Sequence, residues 1–96
     1  MLRLKRKIGQ SVVVGDDLTI TVLRLEGSTA TLRLSVPRVP DGTLQLQVGT
    51  ELPIVKGTET VYTRLSCIDR GEAWLEFEGP RSVEIRRQER QKRSEM

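Results

Sequence analysis

Histidine is absent from the 96 residues, and cysteine occurs once, as Cys67. The first absence removes the commonest general base and the commonest metal ligand. The second excludes an internal disulfide and points to a reducing compartment. Aromatic residues are scarce, with only Tyr62, Trp74 and Phe77, so a core has to be built from Leu, Val and Ile. No apolar run exceeds three residues, as in Val12–Val14, which leaves no candidate for a membrane-spanning helix or a signal-peptide core. A glycine-rich phosphate loop, a nucleophile elbow and a Cys/His cluster are also missing, and Asp16-Asp17 reads as a turn rather than a catalytic acid pair. These absences predict a cytoplasmic, non-enzymatic protein with no catalytic residue, no metal, no cofactor and no membrane association.

What the chain does have is charge placed unevenly. Four of its sixteen Lys and Arg residues, Arg3, Lys5, Arg6 and Lys7, fall in the first seven positions, where there is no acid. Six more fall in residues 81–96, against Glu84, Glu89 and Glu95. Between them, residues 8–80 hold six basic and ten acidic residues. Both ends are positive and the middle is negative. If the fold brings the ends together they make one basic patch, the usual footprint of a polyanion partner.

Hydrophobic alternation predicts an all-β protein. Leu2 to Arg6 alternates, Val12 to Val14 is a short strand closed by Gly15-Asp16-Asp17, and Leu18–Leu25 and Thr29–Val36 flank the hairpin loop Glu26-Gly27-Ser28. Pro37, Pro40, Asp41 and Gly42 make a rigid turn, after which Leu44, Leu46 and Val48 resume the period. The pattern then repeats. Ile8-Gly9 is answered by Val48-Gly49 at a separation of 40, and Leu18, Val22, Leu32 and Leu34 by Val61, Leu65, Leu75 and Phe77 at a separation of 43. This divides the chain into a first unit at 1–38, a linker at 39–43 and a second unit at 44–96, folded together as one domain. A closing strand at Ser82–Arg87 belongs to the second unit alone, and the tail from Gln88 has the composition of a short helix. Phe77 aligns with core positions, Trp74 aligns with Thr31 on an outer face, and Cys67 reads as a passive small residue.

The stretch MLRLKRKIGQSVVVGDDLTITVLRLEGSTATLRLSVPR resembles the carbon storage regulator family (CsrA/RsmA). The resemblance lies in an N-terminal MLxLxR strand, Ile-Gly, a short apolar strand, Gly-Asp, and two further strands before a proline. The family's closing segment is matched by Pro80-Arg81-Ser82-Val83-Glu84-Ile85-Arg86-Arg87. Members act as interlocked homodimers in which the first strand of one subunit lies parallel to the last strand of the other. Those strands bind single-stranded RNA with a GGA core, often in a hairpin loop of an mRNA leader. The resemblance therefore implies a small interlocked β-sandwich or barrel made of two such units in one chain, a monomeric pseudodimer, with a homodimer as the alternative. It also implies translational regulation, with a protein or small RNA as a conceivable antagonist.

Carried over by position, the implied RNA site takes Leu4, Lys5, Arg6 and Lys7 from the first strand and Arg81, Val83, Ile85, Arg86 and Arg87 from the last. The mirror positions Leu44, Gln45, Leu46 and Gln47 carry no charge and have no closing strand, so they are expected not to bind. Two other readings compete: a protein-interaction module working through the second-half surface, and a structural homo-oligomer joined through the TLQLQ edge.

Overall fold

The computed structural model describes residues 1–88 and folds them into nine strands: β1 (Leu2–Lys7), β2 (Ser11–Val14), β3 (Leu18–Glu26), β4 (Thr29–Ser35), β5 (Gly42–Gln47), β6 (Glu51–Lys56), β7 (Glu59–Asp69), β8 (Glu72–Glu78) and β9 (Ile85–Gln88). They form a four-stranded sheet in the order β1-β8-β7-β6 and a five-stranded sheet in the order β5-β4-β3-β2-β9. All pairs are antiparallel. The halves are interlocked, because β1 leaves the first half to pair with β8 while β5 leaves the second half to pair with β4.

Alternation explains which face each strand buries. Val12, Val14, Ile20, Val22, Ala30 and Leu32 from one sheet meet Ile54, Val61, Leu65, Ala73, Leu75 and Phe77 from the other in a single core. Burying a side chain such as Leu75 or Phe77 contributes on the order of 1.5–3 kcal/mol. The aliphatic composition and the core place of Phe77 follow the pattern in the sequence, and Trp74 lies half-buried on the outer face.

The offsets of 40 and 43 recur in the geometry. Leu2 faces Phe77 and Lys7 faces Glu72, while Gly42 faces Leu34 and Gln47 faces Thr29. A β-bulge lies between Val22 and Arg24 and another between Leu65 and Cys67. Gly9 N–H donates to the Val22 carbonyl at 2.7 Å and Gly49 N–H to the Leu65 carbonyl at 2.9 Å. Gly9 and Gly49 hold φ of 91° and 89°, a region where a side chain is strained, which accounts for glycine at both corners.

Two expectations need correction. The first strand does not pair with the last: β1 is bonded to β8, and β9 to β2 in the other sheet. The reason is that the inner face of β1, with half-buried Leu4 opposite Leu75 and Arg6 opposite Ala73, completes the core beside β8, so each edge strand closes its own sheet. The closing strand is also shorter than Ser82–Arg87, since residues 81–83 form a turn in which Val83 N–H donates to the Pro80 carbonyl at 3.1 Å. Gln88 ends β9, and the helix expected after it falls on residues 89–96, outside the described residues.

Candidate nucleic-acid interface

β1 ends at Lys7, turns through Ile8-Gly9, and feeds β2 at Ser11. β9 runs antiparallel to β2, with Ile85 opposite Val14 and Gln88 opposite Ser11. Both edge strands therefore run towards the Gly9–Ser11 corner, one at the border of each sheet. Basic residues from the two ends of the sequence thus share one edge of the sandwich without sharing a sheet.

The side chains of β1 divide by face. Leu2, Leu4 and Arg6 lie opposite Phe77, Leu75 and Ala73 on the inner side. Alanine at position 73 leaves room for a long neighbour, and Arg6 is only 3% exposed. Its Nε donates to the Lys5 carbonyl at 2.7 Å and its Nη1 to the Ser11 carbonyl at 3.3 Å, tying the end of β1 to the start of β2. The implied RNA site takes Arg6 as one of its residues, whereas the structure folds its side chain into the edge.

Arg3, Lys5 and Lys7 take the outer side, opposite Glu76, Trp74 and Glu72. Arg3 Nε lies 3.5 Å from Glu76 Oε2, and Lys5 Nζ lies 3.5 Å from Glu72 Oε1. Both cations also stand over the Trp74 ring, 5.2 and 5.4 Å from its centroid. Arg64 of β7 completes this ladder by donating to Glu76 from Nε at 3.1 Å and from Nη2. That hydrogen bond, together with the charges of Arg64 and Arg3, holds the Glu76 carboxyl below its ordinary value, while Glu76 in return raises the Arg64 guanidinium.

The remaining cations are less committed. Lys7, Arg81, Arg86 and Arg87 are exposed. Arg86 Nε lies 3.7 Å from Glu84 Oε1, and among the described residues Lys7, Arg81 and Arg87 have no carboxylate partner. Arg87 lies opposite Val12 and shares its side of the strand with Ile85, while Arg86 lies opposite Val13 on the outer side. Leu4, Val83 and Ile85 are half-buried and pack against the core. Beyond the entry to β9 a cleft of about 530 Å³ is bordered by Asp16, Lys56, Glu59, Val83 and Arg86. Lys56 there pairs with Asp17 across the two halves.

Sequence reasoning missed the acidic partners of β1 and this cross-half pair. The first had a signal, since EAWLEFE places Glu72, Trp74 and Glu76 on one face of a strand. The second joins residues 39 apart through two turns and had none.

The opposite edge differs. β5 presents Thr43, Gln45 and Gln47 on its outer side and Leu44 and Leu46 inside, with Leu46 only 2% exposed at the counterpart of Arg6. β6 has no outer neighbour among the described residues.

Fold and edge define a small all-β sandwich with interlocked halves and one basic border. Residues 1–40 match the family model for CsrA, described as a global regulator protein family. It is similar to the translational regulator CsrA of Thermotoga petrophila, with 42% identity over 38 residues, 40% of this chain and 46% of the relative. The translational regulator CsrA of an Exiguobacterium species is 50% identical over 38 residues, 40% of this chain and 51% of the relative. That of Exiguobacterium sibiricum is 44% identical over 41 residues, 43% of this chain and 55% of the relative. The chain spans about half the length of the curated relatives it matches. No solved structure matches it.

Proposed function

We propose that this protein is an RNA-binding post-transcriptional regulator that holds a single-stranded GGA element along the β1–β9 edge, at one composite site per chain. The observation that carries the reading is the return of β9 to β2. It brings the end of β9, where Arg87 precedes Gln88, to Ser11 just after the β1 turn that follows Lys7, while the opposite edge has neutral Gln45 and Gln47 and among the described residues no closing strand. The similar proteins are named translational regulators, which agrees with it. In this reading the chain is a single-chain counterpart of an interlocked dimer, its second unit diverged.

The chemistry follows from the side chains. Arginine's planar fork bonds a guanine edge or a phosphate at two points, and Lys7 supplies a mobile charge. Unpaired bases are where RNA sequence is read, and an open sheet edge suits a loop better than a duplex groove. With Arg3 and Lys5 matched by Glu76 and Glu72, direct contact falls to Lys7, Arg81, Arg86 and Arg87, with the backbone at Val83 and Ile85 and the apolar side of Leu4. Arg6 acts by fixing the corner. Each neutralised phosphate should add roughly −0.7 to the salt slope.

The test is a gel shift with a GGA hairpin and a hairpin in which GGA is replaced, followed by titration to stoichiometry. The expected result is preference for GGA, steep weakening with salt, and one RNA per chain. Equal binding of both hairpins would sink the assignment.

A further inference from the structure

The second half carries a surface that RNA binding does not use. On the outer side of the four-stranded sheet, beside β6, Val55 is 69% exposed and Tyr62 45%. Pro53 lies opposite Tyr62 and is exposed too. Met1, itself exposed, joins Tyr62 in lining a shallow hollow of about 80 Å³, together with Glu51, Glu78 and the Arg64–Glu76 pair. Glu51 and Glu78 are exposed, and although Arg64 lies opposite Glu51, its guanidinium is bonded to Glu76 and among the described residues no cation is within ion-pair distance of Glu51 or Glu78. We propose that this patch docks a protein segment that presents a large apolar side chain flanked by lysine or arginine.

Three observations favour that partner. The patch is peculiar to the second half: the counterparts of Glu51, Tyr62 and Glu78 are Ser11, Thr19 and Ser35, and that of Val55 is Gly15. The one apolar counterpart, Val13 for Pro53, is only 6% exposed. The fold alone therefore does not require it. Arg64 in the hollow is held by Glu76, so Glu51 and Glu78 leave its rim with an excess of negative charge, which repels a polyanion and attracts a cationic segment, opposite to the basic edge. Addition of a strand to the β6 edge is disfavoured as well. Gly15 N–H donates to the Glu84 carbonyl at 2.7 Å, so Val13, two residues away and opposite Arg86, also turns its backbone towards β9. Pro53, its counterpart, has no N–H to offer there. The partner must use the face through its side chains.

The test is an NMR titration of the labelled full chain with the hexapeptide RKLIRK and its charge-reversed form EDLIED. The expected result is that RKLIRK shifts the amides of Glu51, Val55, Tyr62 and Glu78 and leaves those of Val12, Arg86 and Arg87 unmoved, while EDLIED shifts none. Two double variants, Glu51→Lys with Glu78→Lys and Val55→Ser with Tyr62→Ser, should each weaken binding at least tenfold. All four sites are exposed, so thermal melting and GGA-hairpin binding should stay as in the parent. The proposal is overturned if the shifts spread over other acids such as Asp16 and Asp69, or if the Val55/Tyr62 variant binds equally well. It is also overturned if the same amides move on concentrating the protein alone, which would give the patch to a second copy.

Discussion

At one border of the sandwich an arginine sits where the other border has a leucine. Arg6 lies opposite Ala73 and Leu46 opposite Ala30, in strands related by the offset of 40, and both are almost fully buried. A well-packed hydrophobic residue is usually at least as stable as a buried charge, and the border with Leu46 is built without the backbone contacts that Arg6 makes to Lys5 and Ser11. The outer sides differ in the same sense. Arg3, Glu76, Arg64 and Glu51 form a row of alternating charge across the four-stranded sheet, and the corresponding row on the five-stranded sheet is Thr43, Arg33, Thr21 and Ser11. The two halves thus share a hydrophobic pattern and differ at their polar positions. The polar positions are where function is to be sought.

The largest expected effect tests the basic border. Arg87→Ala removes an exposed guanidinium from β9 and should weaken GGA-hairpin binding by roughly 1–3 kcal/mol, about 5- to 150-fold, with less preference for GGA. Arg87 lies on an edge strand outside the core, so the melting temperature should hardly move. Unchanged affinity would mean that the two borders do not differ in the way proposed.

The inner sides offer the next comparison. Thr63 of β7 is wholly buried, and among the described residues its hydroxyl has no hydrogen-bond partner, whereas its counterpart in β3 is Ile20. A buried hydroxyl left unpaired costs on the order of 1 kcal/mol or more. Thr63→Val keeps the shape and should stabilise the protein by about 1 kcal/mol in urea unfolding. Destabilisation would show that the hydroxyl finds a partner in solution.

The charged row is open to acid. Glu76 has a lowered carboxyl pKa because Arg64 donates to it, so folding favours its ionised form. Its contribution is fully present above the ordinary carboxylate value of about 4.5 and is lost as the pH falls through the lowered value, because the unfolded chain takes up the proton first. Unfolding midpoints from pH 7 down to pH 3 should therefore fall more steeply for the parent than for Glu76→Gln, with the gap between them closing in acid. A parallel decline would remove Glu76 from the account.

How much of this was legible beforehand depends on the range of the interaction. Alternation within Leu18–Leu25 or Thr29–Val36 is local, and each emerged as a strand with the expected inner face. The offsets of 40 and 43 were legible because apolar positions and glycine corners recur in order along the chain. The partner of β1 was not. Any alternating strand satisfies Leu2 and Leu4, and only the completed core shows that Leu75 and Phe77 lie opposite them, more than 70 residues away. The burial of Arg6 was hidden for the same reason, since it depends on Ala73. Of the residues the resemblance carries over to RNA, Lys7, Arg81, Arg86 and Arg87 are exposed, while Lys5 meets an acid that belongs to β8.

The smallest expected change is the most discriminating. Gln45→Lys with Gln47→Lys gives β5 the charges that Lys5 and Lys7 give β1. If charge on a first strand were enough, the variant would bind two RNAs per chain. It should still bind one, with affinity raised only slightly by the added positive field, because the second border lacks the other half of the constellation. No strand lies outside β6 among the described residues, and Pro53 withholds the N–H that Val13 directs towards β9 at the first border. Stoichiometry from calorimetry at low salt, where nonspecific charge effects are greatest, sets the hardest condition. A second equivalent of matching affinity would show that β9 is dispensable. A single equivalent would locate the asymmetry in the closing strand, with the charge of the first strand secondary to it.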